Sequence, residues 1–383
     1  MECVGATLGA MPRQREDDHL SELPISATGE RPRVNLKQLS EYLGLSRTTI
    51  SLVLNDAPLA QRISAETKQR VMEAAEKLGY RPNYFARSLS GRRSRMIGVI
   101  APDFGHGYDA MILSGIEHRL LGSEYMYFVS SHLWSAEVLR RSLDALIERG
   151  AEGLLLVNTT LPSEIRLPAV AIGSTSSVTG TPLISIDNTH GMQLAIKHLV
   201  ELGHKHIAVL KGHEYSSDTE SRWDAAMGTA ARLGVPIAPE LTVQLERIGA
   251  EGMLAIDEGY IAARKLLRKR LPFTGLVCFN DMSACGAIHA IRDAGLRVPE
   301  DISVVGFDDI PIAKIVYPPL TTIRQPLREM GEKAAETLLR CIEEKTSSPG
   351  MCMQPDLVVR RSTEKPEKVA GVKTRRWKHP SSF

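Results

Sequence analysis

From residue 95 onward the chain repeats one unit: a short run of β-branched and aliphatic residues, a polar turn, and an amphipathic helical stretch. "MIGVIAP" leads into a helix around 108–121, "YMYFVSS" into one around 136–149, and "GLLLV" and "AVAIG" follow. "LISID" then leads to 188–202, "HIAVLKG" to 219–233 and "GLVCF" to 281–294, and "ISVVGF" closes the series. Strands apolar at nearly every position are covered on both faces, and strands that alternate with helices pair in parallel. The stretch is long for one such sheet. Two α/β subdomains of roughly equal size are therefore expected.

Residues 34–91 follow another rule, helical throughout. Leu36, Leu39 and Leu43 form one stripe, and Gly44 follows as a turn residue that tolerates positive φ. In "SRTTISLVLN", residues 46–55, Ile50, Val53 and Leu54 sit at i, i+3 and i+4, while Thr48, Ser51, Leu52 and Asn55 fall on the opposite face. Thr, Ile, Ser and Val are poor helix formers, so packing must hold this helix together. Ser46 is placed to cap it. A third helix runs through "ISAETKQRVMEAAEKLGY", with Ser64 as N-cap and Val71, Ala74, Ala75 and Leu78 inward. Asn83 caps a fourth helix of about two turns, stopped by Ser90-Gly91.

Two short helices joined through Gly44 and braced by a third form a helix-turn-helix pattern. Charge supports a nucleic-acid role. Between Arg31 and Arg95, thirteen basic residues face five acidic ones, a net +8, leaving −6 for the rest of a chain whose total is +2. A basic module on an acidic body is the electrostatic footprint of a DNA binder. In a major groove Arg47 can reach guanine edges, Thr48, Thr49 and Ser51 can hydrogen-bond bases or phosphates, and an outward Leu52 can meet a thymine methyl.

The remaining bulk properties mainly exclude. No uncharged apolar run reaches membrane-spanning length, and the N-terminal segment has no basic start followed by an apolar core, so no secretory signal is expected. Five scattered cysteines without a CxxC pair argue for a reduced cytoplasm and against a zinc site or disulfide framework.

The strings "VNLKQLSEYLGLSRTTISLVLN", "YRPNYFARSLSGRRSRMIGVIAPDF", "RVPEDISVVGFDD" and "PPLTTIRQP" resemble, in order, the lac repressor/galactose repressor family of bacterial transcriptional regulators. The similarity runs from about residue 34 to 363. It implies a small all-α headpiece that reads double-stranded operator DNA, a hinge helix in the minor groove, and a periplasmic-binding-protein-like domain of two parallel-sheet subdomains that binds a small effector. The expected organisation is a flexible tail at 1–33, the helix-turn-helix domain at 34–81, hinge helix and linker at 82–94, the effector-binding and dimerisation domain at 95–364, and a basic tail at 365–383.

Carried over position by position, the resemblance puts base reading on Arg47, Thr48 and Leu52, in agreement with the helical wheel. Thr49, Ser51 and Asn55 join them on that helix. The hinge helix falls on Asn83–Ser90 with Arg87 toward DNA, and its minor-groove wedge on Leu89. Effector contacts fall on Tyr108, Asp109, Arg222, Asn280, Asp281 and Asp308. Aromatic residues are common in the family at the position of Asp109, so this chain departs there. The loop after Asn55, "DAPLAQRI", is also somewhat longer than is common. Asp, Asn and Arg together suit a polyhydroxylated ligand, since each bridges neighbouring hydroxyls; a sugar or sugar derivative is expected, acting on a homodimer at a near-palindromic operator. The segment after Ser362 has no leucine heptad, so no tetramer is expected.

Other constellations reduce to structure. "GHGYDA" opens a helix like a dinucleotide motif, but no acidic residue ends the next strand to hold a ribose. It reads as a flexible lip instead. His198, His204 and His206 lack ligand spacing; Cys285 and His289 have no third partner; Asp308-Asp309 is explained by a turn without a cation. No cofactor and no catalytic residue are expected. A stand-alone sugar receptor would need a signal peptide and no headpiece, and a Rossmann-like enzyme a catalytic set; both fit worse than an effector-controlled repressor.

Overall fold

The structure, a computed structural model, describes residues 34–55, 57–80, 93–105, 107–160, 166–173, 180–247, 255–345 and 349–366. The hinge positions Asn83, Arg87 and Leu89 lie outside the described residues, as do the tail expected at 1–33 and all but the first two residues of the one expected at 365–383. The chain divides into two compact units, one ending at Ser94 and one beginning at Arg95.

The first unit is the expected three-helix module: Leu36–Leu43, Arg47–Leu54 and Ala65–Lys77. Each helix starts on a side chain that satisfies an otherwise unpaired amide. Ser46 accepts from the Thr49 amide at 3.0 Å and Ser64 from the Thr67 amide at 3.2 Å. Asn35 and Gln38 form a reciprocal capping box that the sequence reading did not name. Gly44 takes the left-handed conformation, φ 64°, in the turn between the first two helices. Leu39, Ile50, Val53, Val71, Ala74 and Ala75 are buried together, with Leu36, Leu43, Leu54 and Leu78 packed around them. Burying Ile50 and Val53 contributes about 1.5–3 kcal/mol each. That outweighs a propensity deficit of roughly half a kcal/mol per poor residue. The long loop after Asn55 contains a 3₁₀ turn, Pro58–Arg62, which inserts Ala60 into the interior.

The second unit holds twelve strands among its described residues: β1 (Met96–Ala101), β2 (Met126–Ser131), β3 (Gly153–Val157), β4 (Ala169–Ile172), β5 (Leu183–Ile186), β6 (Ile207–Lys211), β7 (Thr242–Gln244), β8 (Gly275–Val277), β9 (Ser303–Asp308), β10 (Thr321–Arg324), β11 (Met351–Met353) and β12 (Asp356–Val358). They form two six-stranded sheets, β11-β5-β4-β3-β1-β2 and β12-β10-β9-β8-β6-β7. All pairings are parallel except β12 on β10. The five helices expected after residue 95 lie at Gly107–Leu120, Ala136–Glu148, Asn188–Leu202, Asp218–Arg232 and Asp281–Asp293.

The series does not close at "ISVVGF". A helix at Ala255–Arg268 and strand β10 extend the second sheet. The helix Leu327–Glu344 and β11 then return to the first subdomain, and β12 goes back to the second. The chain thus passes between subdomains at 187, at 325–326 and at 354–355. In each subdomain two helices cross at backbone contact because glycine removes the side chains. A Cβ on Gly115 would sit on the Arg328 carbonyl oxygen and one on Gly331 on that of Ile112; a Cβ on Gly259 would sit on Ser283 and one on Gly286 on the Ile256 carbonyl. The helix Leu327–Glu344 is thereby locked to Gly107–Leu120, the helix that opens the cleft between the sheets.

Candidate functional site

On the helix Arg47–Leu54 the faces separate as the wheel requires. Ile50 and Val53 are buried, Arg47 and Thr48 exposed, and Leu52 half-exposed and outside the headpiece core. Thr49 is tied to the Ser46 cap through its hydroxyl, 2.9 Å, as well as its amide. Asn55 is exposed, and its amide nitrogen donates to the Ser51 carbonyl at 2.8 Å and hydroxyl at 3.2 Å. Ser51 and Asn55 thus share one internally bonded ridge beside Leu52, with Arg47 and Thr48 at the helix start.

In the second unit both sheets point their carboxyl ends into the cleft between the subdomains, the place where open α/β sheets bind ligands. Arg222 anchors the wall of the second subdomain. Its guanidinium lies 3.8 Å from the Phe307 ring centroid and 4.7 Å from that of Phe279. It donates to Asn188 Oδ1 at 2.8 Å, to the Phe279 carbonyl at 2.9 Å and to Asp218 at 3.3 Å. Asp308 ends β9 at φ 118°, a left-handed region that a non-glycine residue occupies at a cost of roughly 1–3 kcal/mol. Gln325 holds it there through a 2.6 Å hydrogen bond. Burial pushes the Asp308 carboxyl up to about 7, although Arg222 and Gln325 pull the other way.

Asp281 plays a structural part where contact with effector was expected, and Asn280 serves as a helix cap. Asp281 has no exposed surface; it accepts from the Ile310 amide at 2.9 Å and from the Thr322 hydroxyl. Asn280 caps the helix Asp281–Asp293 through a capping box with Ser283. Asp281 thereby holds the turn that carries Asp308, with both its oxygens taken. Asp309, at φ 57°, pairs with Arg324 and Arg360 away from that turn's polar end.

The first subdomain supplies Tyr108 and Asp109 from the start of helix Gly107–Leu120. Gly107 lets this helix approach the 308–310 turn: a Cβ there would lie 3.1 Å from Ile310 Cδ1. Gly107 is therefore a point of close approach between subdomains. The Tyr108 hydroxyl reaches over Gly173 beside Asn158, where an added Cβ would collide. Burial, with Asp218, Asp308 and Asp109 nearby, holds the Tyr108 phenol well above its ordinary range. Asp109 is buried, and its Oδ1 has no hydrogen-bond partner among the described residues. Burial first, then Asp103 and Asp308, raise its carboxyl to about 8.

A second group spans the mouth of the cleft. Trp134, in the loop after β2, meets Tyr215, in the loop after β6, at a ring-centroid distance of 4.5 Å. His213 stacks on Tyr215 at 4.8 Å and bonds Glu258 at 2.9 Å. Sequence reasoning missed this group, as it missed Asn158, Asn188, Asp218 and Gln325. Only Asp218 carries a local signal, its i,i+4 spacing to Arg222. His198 and His204 serve the fold: His198 bonds Thr363 at 2.9 Å, and His204 bonds Thr274 at 2.9 Å and the Glu364 carbonyl at 3.1 Å.

A helix-turn-helix unit followed by a two-sheet domain with a polar cleft is the architecture of a DNA-binding regulator, and known proteins agree. Residues 35–83 match the bacterial regulatory proteins of the lacI family, and residues 196–363 match the periplasmic binding protein-like domain. The HTH-type transcriptional repressor PurR of Pasteurella multocida is 30% identical over 338 residues, covering 86% of this chain and 98% of its own. The PurR of Aliivibrio fischeri is 32% identical over 85% of this chain and 97% of its own. Among solved structures, the lac repressor dimer bound to operator and the anti-inducer ONPF superposes with a TM-score of 0.75 at 28% identity, over 87% of this chain and all of that one. The transcriptional regulator CelR in complex with cellobiose gives 0.64 at 26% identity, over 86% of this chain and all of that one. The chain belongs to the lacI family: it is a DNA-binding transcriptional regulator, not an enzyme. None of its described helices is long and apolar enough to cross a membrane.

Proposed function

We propose that this protein acts in the cytoplasm as a homodimeric repressor whose two headpieces read a near-palindromic operator, and that a carbohydrate effector in the cleft sets its affinity for DNA. One observation carries the reading: Tyr108 and Asp109 from one subdomain converge with Arg222 and Asp308 from the other. A ligand that touches both walls changes the free energy of closure, and any coupling to DNA binding follows reciprocally. The operator-bound dimer of the lac repressor and the cellobiose complex of CelR support the two halves of the proposal.

On the DNA side, Arg47, Thr48, Ser51 and Leu52 read bases, Thr49 and Asn55 support that face, and Asn83, Arg87 and Leu89 form the hinge. The test is selection of duplex DNA from a random pool by the full-length protein, followed by titration of the selected site. Leu52→Ala should reduce affinity for the selected site by roughly tenfold, the value of about one good base contact, with little change on random duplex. Leu89→Ala should weaken operator binding while effector binding stays intact. A protein that selects no sequence, or whose binding ignores salt, sinks the DNA half.

For the effector half, calorimetric titration with neutral sugars, amino sugars, sugar phosphates and purines identifies the ligand class. Binding by a sugar that is lost in Arg222→Ala supports the cleft. Stabilisation by purines alone rejects the carbohydrate reading.

A further inference from the structure

The two walls of the cleft meet the same space with unequal completeness. Arg222 is largely committed: Asn188, the Phe279 carbonyl and Asp218 take three of its five N–H donors, two phenyl rings lie against it, and one N–H on each terminal nitrogen is left for a ligand hydroxyl. Its charge is therefore already balanced by Asp218. Asp308 faces the start of helix Gly107–Leu120 with one oxygen held by Gln325. Across from it stands Asp109, 7% exposed, with Oδ1 unbonded among the described residues. Asp103 adds a third carboxyl close enough to act on Asp109.

A buried acceptor with no donor loses the desolvation energy of that group. Position on the helix does not remove the problem. Asp109 lies in the first helical turn, where the macrodipole favours a negative charge, yet Asp103 and Asp308 oppose ionisation. A neutral hydroxyl would satisfy the acceptor but leave ionisation of Asp109 opposed by Asp103 and Asp308. A protonated amine does both: it donates to Asp109 Oδ1 and neutralises the carboxyls on either side.

We propose that the effector carries a protonated amine seated between Asp109 and Asp308, and that its class is the amino sugars. This deepens the carbohydrate reading above and rests on it. Asp109 recognises the ammonium, while Arg222 orients the hydroxyl-bearing part of the ring.

The test is calorimetric titration of the full-length protein with D-glucosamine, D-galactosamine and D-mannosamine against D-glucose, D-galactose and D-mannose at pH 7. A charge-assisted bond to a buried carboxylate is worth at least about tenfold in Kd. At least one amine should therefore bind about tenfold tighter than its neutral parent. Asp109→Asn, which keeps size and cannot ionise, should erase that preference, so that each amine and its neutral parent bind this variant with Kd values within about twofold of one another. Neutral sugars binding as tightly as their amines overturn the amine proposal and leave the carbohydrate reading standing. An amine preference that survives in Asp109→Asn overturns it too. Failure of all six sugars overturns both.

Discussion

The two subdomains are built alike and finished differently. Their central five strands follow one winding, β5-β4-β3-β1-β2 in one and β10-β9-β8-β6-β7 in the other, and each locks a helix pair at a glycine crossing. At the cleft the likeness ends. The second subdomain presents side chains whose partners are already in place: Arg222 with three acceptors, Asp308 with Gln325, Asp281 with Ile310 and Thr322. The first presents two buried atoms without partners among the described residues, Asp109 Oδ1 and His132 Nδ1. A rigid wall costs no reorganisation when a ligand arrives, and an incomplete wall gains most from that arrival. On the proposed reading, anchoring falls to the second subdomain and discrimination between ligands to the first.

The largest expected effect comes from breaking the finished wall. Arg222→Ala takes the counter-ion from the partly buried Asp218, which keeps only the Asn188 amide, and leaves Asn188 Oδ1 and the Phe279 carbonyl short of a donor. Removing one partner of a buried pair costs about 3–5 kcal/mol, so thermal unfolding should move down by several degrees and effector binding should disappear. A variant with wild-type melting and wild-type binding would show that the Phe279–Arg222–Phe307 sandwich anchors nothing.

The unfinished wall should respond in the opposite sense. In an unfolded chain Asp109 ionises near pH 4; in the folded protein it does so at about 8, and Asp308 at about 7. Both folded values are raised, so their stabilising contribution is present below about pH 4 and is lost as pH rises toward 8. Asp103 and Asp308 face Asp109 and Arg222 faces Asp308, so the slope belongs to the group of charges. Asp109→Asn should raise the melting temperature of the ligand-free protein at pH 8 by the equivalent of about 1–3 kcal/mol and by less at pH 5. A scan of melting temperature against pH in both proteins checks this. An unchanged slope would mean that Asp109 finds a partner in solution.

The uneven wall also explains how much was legible in the sequence. Periodicity located five helices and eight strands because each is a local pattern of apolar spacing. It did not show that Leu327–Glu344 returns to the first subdomain, because an apolar face states that a partner exists and not which one. Arg222, Asp109 and Asp308 were found through the family resemblance. Gln325 and Asn188, which hold two of them in place, sit where the chain changes subdomain and bear no local signature. Asp281 was expected at the ligand, and its residue type gives no hint that Thr322 and the Ile310 amide consume both oxygens. The outward face of Arg47–Leu54 was legible in full, because on a short helix the inward residues leave the rest no alternative.

The smallest effect lies at the mouth, where the two subdomains meet through Trp134 and Tyr215. Both rings are exposed, 41% and 48%, so neither is needed for the core of its own subdomain. Their contact, 4.5 Å between centroids, exists only while the cleft is closed to this degree. An aromatic pair of this kind is worth about 0.5–1.5 kcal/mol. Trp134→Ala should therefore weaken effector binding by roughly two- to tenfold and leave the melting temperature of the ligand-free protein almost unchanged. Tyr215→Ala should do the same, and the double variant should lose no more than either single one, since one contact is being removed twice. Additive losses would show that each ring touches the ligand itself. In that case the discriminating wall extends outward from Asp109 to the mouth, and the first subdomain reads the effector over a longer path than its buried residues alone define.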